Sequence, residues 1–124
     1  MKALLAMALG AALSAGVAYA DCSYPVAPAK LPDGASATLE EMIAGQKTVK
    51  EYDKAMKDYV ECIDKEVDQK IAQAGDKLKP EQKADMQKVE AQKHNAAIDQ
   101  LQSVADRFNE QVKVFKARTA DKKG

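Results

Sequence analysis

The sequence predicts an all-α protein: a long antiparallel two-helix hairpin, coiled-coil-like, with an extended proline-rich N-terminal arm stapled to helix one by a disulfide. Three observations lead there. Apolar residues recur at spacings of three and four along two long stretches, about 38–74 and 81–118, separated by charged side chains. The break between the stretches, Gly75 to Pro80, is short, and a connection that short makes the helices antiparallel neighbours. Ahead of the first stretch stand Pro25, Pro28 and Pro32, and the 2 cysteines fall one in this arm and one in helix one.

Residues 1–20 read as a cleaved signal peptide and not as part of the fold. Lys2 supplies the positive start, Ala3 to Leu13 the apolar run, and Ala18-Tyr19-Ala20 a small-x-small site that places cleavage after Ala20. The run falls well short of the roughly 20 apolar residues of a spanning helix. A lipid anchor would need a small residue directly before the cysteine, whereas Asp21 precedes Cys22. The expected address is the periplasm or the exterior, with no membrane insertion after signal cleavage. Across the chain 19 basic side chains balance 19 acidic ones, and losing Lys2 barely alters this. A neutral balance argues against a nucleic-acid partner, which calls for a basic surplus.

In an oxidising compartment two cysteines imply a disulfide, and within one chain that is Cys22–Cys62. A dimer bridged through the same residues is the alternative. There is no C-x-x-C step, so a redox-active pair is not expected.

Taken in order, 21–37 is the arm. Its prolines exclude a regular helix and favour extended backbone, and Pro32-Asp33-Gly34 signals a turn. Thr38 can cap helix one while Glu41 reaches back three residues later, with Ser36 as an alternative cap. The apolar stripe of helix one is Met42, Gly45, Val49, Tyr52, Met56, Tyr59 and Ile63, drifting to Val67, Ile71 and Ala74. Glu61–Lys65 and Glu66–Lys70 are i,i+4 pairs in the favourable order. Gly75 suits a helix end and Pro80 a helix start. Helix two carries Ala84, Ala91, Ile98, Leu101, Ala105, Phe108, Val112 and Phe115. Helices of equal length then set Phe108 and Phe115 against Tyr52 and Met42, and leave 119–124 as a disordered tail.

Two helices alone make a thin core. The arm is long enough to turn back and lie along helix one, where Ala44, Gly45, Thr48, Ala55 and Cys62 offer a flank of small residues. Self-association into a four-helix bundle is the other way to thicken it.

No catalytic or cofactor motif is present: no G-x-S-x-G, no phosphate loop, no Ser-His-Asp set. The expectation is a non-enzyme with no cofactor and no metal. His94 reads as an ordinary polar helix position, and Glu61, Asp64 and Asp68 as a solvated ion-pair face. The candidate binding residues are Met42, Tyr52, Met56, Tyr59 and His94. Met42, Met56 and Met86 can form an adaptable contact stripe, but core packing is the plainer reading of them and of the Tyr52 and Tyr59 pair.

Two resemblances follow from these residues. The run Cys22…Pro25…Pro28…Leu31-Pro32-Asp33-Gly34…Ala37-Thr38…Met42…Gln46…Val49-Lys50…Tyr52…Tyr59…Cys62 resembles a group of short exported proteins of Gram-negative bacteria. Those pair a Cys/Pro-rich arm and a PDG-like turn with a helix bearing a Y-x-x-C step. The likeness covers residues 22–63; it implies the arm-to-helix disulfide and the periplasmic address, and brings no activity. Leu78-Lys79-Pro80-Glu81-Gln82 is similar to the L-T-x-x-Q motif of Spy-like periplasmic chaperones, which are helical, dimeric and non-enzymatic. Lys79 stands in the threonine's place, and the motif occurs here once and not twice.

The expected function is therefore that of an exported, non-enzymatic binding, structural or chaperone-like envelope protein. Its partner would be another envelope protein or a second copy of itself. The alternative is a small-ligand or metal-binding module using a cleft between arm and hairpin.

Overall fold

The computed structural model describes residues 22–122; the expected signal peptide lies outside them. Helix α1 spans Leu39–Ala74, a 3-10 turn covers Gly75–Lys77, and helix α2 spans Pro80–Asp121. The two helices pack as an antiparallel hairpin, with no strand among the described residues.

Local chemistry sets the boundaries. The Thr38 hydroxyl accepts from the Glu41 N–H at 3.1 Å, and the Glu41 carboxylate accepts from the Thr38 N–H at 2.7 Å. This reciprocal cap satisfies two N–H groups that the helix itself leaves unpaired. At the other end Gly75 takes φ 49°, a conformation that a side chain would strain. Pro80 opens α2, where it forgoes no hydrogen bond, and the Gln82 Oε1 accepts from the Lys79 N–H at 3.0 Å. Lysine has no acceptor to return that bond, so α2 begins with half a cap.

The stripe of α1 packs as its spacing predicts. Met42, Gly45, Tyr52, Met56 and Ile63 are buried, and Val49 and Tyr59 are half-buried. The stripe of α2 is corrected over its first half. Ala84, Ala91 and Ile98 are exposed; the seam runs instead through Met86, Glu90, His94, Ala97, Leu101, Val104 and Phe108. Glu90 and His94 are polar at seam positions, so a search for apolar residues slides onto the wrong face.

Two layers of core follow. Tyr52, Met56, Ala97 and Val104 form one, with Ala27 of the arm and Leu101 against it. Ala37, Met42 and Phe108 form the other, with Leu31, Val112 and Phe115 against it. Met42 thus shares a layer with both phenylalanines, while Tyr52 belongs to the layer above them.

The disulfide joins Cys22 to Cys62, whose α-carbons are 5.7 Å apart. The arm also reaches α2. Gly34 donates its N–H to Oε1 of Gln111 at 2.9 Å, and Arg118 donates to the carbonyl of Ala37. Asp33 holds the turn, its Oδ1 accepting from the Ala35 N–H at 2.9 Å and its carbonyl from Ala37 at 2.7 Å. On the α1 side Gly45 admits Pro32, since a Cβ there would lie 2.6 Å from the proline ring and 3.1 Å from Phe108. Ala55 is exposed, so the small-residue flank meets the arm at Gly45 and Cys62 and not along its whole length. The arm is a third layer in the groove between the helices.

The helices are unequal, 36 and 42 residues. Residues 119–121, expected in a tail, are helical. The Thr119 hydroxyl donates to the Phe115 carbonyl at 3.0 Å, and Arg118 lies 5.3 Å from the Phe115 ring centroid while anchoring to Ala37. These contacts carry α2 past the last apolar residue of its stripe.

Candidate functional site

Above the disulfide the molecule changes character. The buried apolar side chains are Ala37, Met42, Tyr52, Met56, Ile63, Ala97, Val104 and Phe108. None comes from residues 64–96, the tip half of the hairpin. There Val67, Ile71, Leu78 and Met86 are only half-buried, and Val89 is 48% exposed. Ile63, Val67, Met86 and Val89 line an open groove whose rims carry Glu66, Lys70, Asp85, Glu90 and Lys93. Lys70 and Glu66 pair across one turn at 2.5 Å. That hydrogen bond is the main reason the Glu66 carboxyl titrates below its ordinary range; burial opposes it, and the Lys70 and Lys93 charges add to it.

At the boundary between base and tip, three polar side chains occupy the seam. Asp64 extends from α1, one residue beyond the buried Ile63. Glu90 and His94 stand four apart on α2 and therefore share a face. His94 Nε2 lies 2.5 Å from Asp64 Oδ1. Each of the three residues offers one ligand atom, and these atoms all lie within 4.8 Å of one another. All three side chains are half-buried. The Glu90 carboxyl is raised above its ordinary range, first by its hydrogen bond with Asp64, then by burial, then by the Asp64 and Asp68 charges; His94 acts the other way. A second groove beside this cluster is lined by Met56, Val60, Ile98 and Leu101, with Lys57, Glu61, Asp64 and His94 at its edge.

The residues singled out from the sequence do not form one site. Met42 lies in the lower core layer and Tyr52 and Met56 in the upper. Tyr59 meets the arm, its ring edge-on to Tyr24 with centroids 5.0 Å apart. The Tyr52 hydroxyl is buried without a hydrogen-bond partner, and burial, then the Tyr24 charge, push its titration up against the opposing Arg107. The two grooves flanking the arm, lined around Leu31 and Pro32, contain neither His94 nor a methionine. Of the expected solvated acidic face, Glu61 pairs outward with Lys65 at 2.6 Å, whereas Asp64 turns into the seam toward His94.

Sequence reasoning missed the partnership of Asp64, Glu90 and His94. A usable signal was present. Counting back from Phe108 in alternating steps of four and three reaches Val104, Leu101, Ala97, His94 and Glu90. The polar residues then fall in the seam and call for partners on α1.

No family model, curated protein or solved structure matches this chain.

Proposed function

We propose that this is an exported, non-enzymatic envelope protein that binds other polypeptides through the tip half of its hairpin. The observation that carries the reading is the uneven burial. The base is a three-layer core closed by the arm and the Cys22–Cys62 bond, while residues 64–96 contribute no buried apolar side chain. A stable base holds a tip whose apolar groove remains accessible. Met86 at the groove is unbranched and adapts to irregular surfaces. The rims carry both signs of charge, which suits transient contact with varied segments better than one rigid ligand. The Leu78–Gln82 stretch, similar to a motif of Spy-like chaperones, lies at this same end.

The periplasmic address rests on the leader-like residues 1–20 and on the disulfide, which persists in oxidising compartments. The test is suppression of aggregation of a reduced, unfolding client. Equimolar protein should slow light scattering. Val89→Asp, at a half-exposed position, should weaken that effect without lowering the melting temperature. Absence of any effect at equimolar ratio would remove the reading.

A further inference from the structure

We infer that Asp64, Glu90 and His94 form a binding site for a divalent first-row transition cation of the zinc type, placed across the two helices just above the disulfide. This does not depend on how the tip engages other polypeptides.

The seam elsewhere is apolar: Met56 and Ile63 on α1, Ala97, Leu101 and Val104 on α2. Between these and Met86 it carries two carboxyl groups and an imidazole brought together from both helices. Two carboxylates facing each other in a partly desolvated seam repel, and a single imidazole offsets them incompletely. An apolar set of the same volume would serve stability better than a half-compensated polar one. A divalent cation alters that balance. Its two charges match the two carboxylates, and a neutral imidazole completes the donors without adding charge.

The geometry is close to what such an ion needs. Zinc holds nitrogen and carboxylate oxygen at about 2.0–2.2 Å, so tetrahedral donors stand roughly 3.3 Å apart. The three donors already lie within 4.8 Å of one another, and His94 Nε2 and Asp64 Oδ1, now at 2.5 Å, would separate slightly to admit the ion. Glu90 and His94 at i,i+4 supply two ligands from one helix face, and Asp64 supplies the third from the opposite helix. Water would complete the coordination. The imidazole nitrogen selects against magnesium and calcium, which prefer all-oxygen shells.

The test uses untagged protein expressed with its own leader and stripped with chelator. Zinc chloride is titrated by calorimetry and by thermal melting, with magnesium and calcium chloride in parallel. One equivalent of zinc should bind and raise the melting temperature, because a ligand specific to the folded state stabilises it. Magnesium and calcium should not. His94→Asn and Asp64→Asn should each weaken binding by at least about tenfold, since even partners outside the coordination shell are worth that much. Glu61→Gln, an outward-facing neighbour, should bind as the parent does. His94 is the only histidine, so its ring nitrogens can be followed by NMR in the unsubstituted protein. Zinc should shift Nε2 strongly. Zinc that produces no shift at His94, or a zinc-dependent stabilisation that His94→Asn retains, overturns the inference. So does the absence of any stoichiometric binding.

Discussion

Gly34 donates its backbone N–H to the side chain of Gln111 at 2.9 Å, and its α-carbon lies so close to α2 that a Cβ would collide with the Gln111 carbonyl oxygen. The arm is thereby seated on the helix farthest from it in sequence. Gly34→Ala should force the turn away from α2. Overpacking of this kind costs about 1–3 kcal/mol. Gly75→Ala is the comparison, since it meets nothing within 4 Å but must keep φ 49°, a strain of about 1–2 kcal/mol. Thermal melts should show both losses. Limited proteolysis should cut the arm faster in Gly34→Ala alone.

Cys62→Ser should lower stability by about 4 kcal/mol in the chain-entropy account of a loop of this size. The helices keep their own apolar seam, so far-ultraviolet circular dichroism at low temperature should change little while the melting temperature falls. The arm, with Val26 already 92% exposed, should become protease-sensitive. A collapse of helicity would mean that the arm is a condition of the hairpin and not an addition to it.

Met56→Ala and Val89→Ala should differ sharply. Met56 is 1% exposed in the upper core layer, and Val89 is 48% exposed at the tip. The first should cost about 2–5 kcal/mol and the second within about 0.5 kcal/mol. Denaturant titrations of the two variants measure this contrast directly.

Tyr52→Phe should leave stability unchanged or raise it, because the hydroxyl it removes is buried without a partner. The same phenol predicts a pH effect. Its folded titration is raised above 10.0, chiefly by burial, with Tyr24 and Arg107 the charged groups bearing on it. The folded state therefore holds the proton longer than the unfolded one. Its contribution is complete below pH 10 and is lost as pH rises through the raised value. Melts between neutral pH and pH 11 should show a shallower alkaline loss in Tyr52→Phe than in the parent protein.

Much of this architecture is legible in the residues. Thr38 and Glu41 announce a reciprocal cap, Gly75 and Pro80 a short return, and Met42 to Ile63 a stripe with regular spacing. These are local rules, satisfied within a turn or two of chain. What is not legible depends on long-range closure. Nothing near Gly34 indicates that Gln111 will receive it, and nothing near Arg118 indicates that Ala37 will. The seam of α2 is misread because Glu90 and His94 stand where apolar residues are expected. Both meet Asp64, on the other helix.

The disulfide and the base of the hairpin close over different lengths of chain. Cys22 and Cys62 are separated by 40 residues, whereas Gly34 reaches Gln111 across 77 and Ala37 reaches Arg118 across 81. In a chain emerging from its N-terminus, both cysteines precede every residue of α2. The arm can be tethered alongside helix one before the groove that will receive it has a second wall. The last turns of α2 then meet a docking surface already held in place, and the shortest covalent path from Gly34 to Gln111 runs back through the cystine.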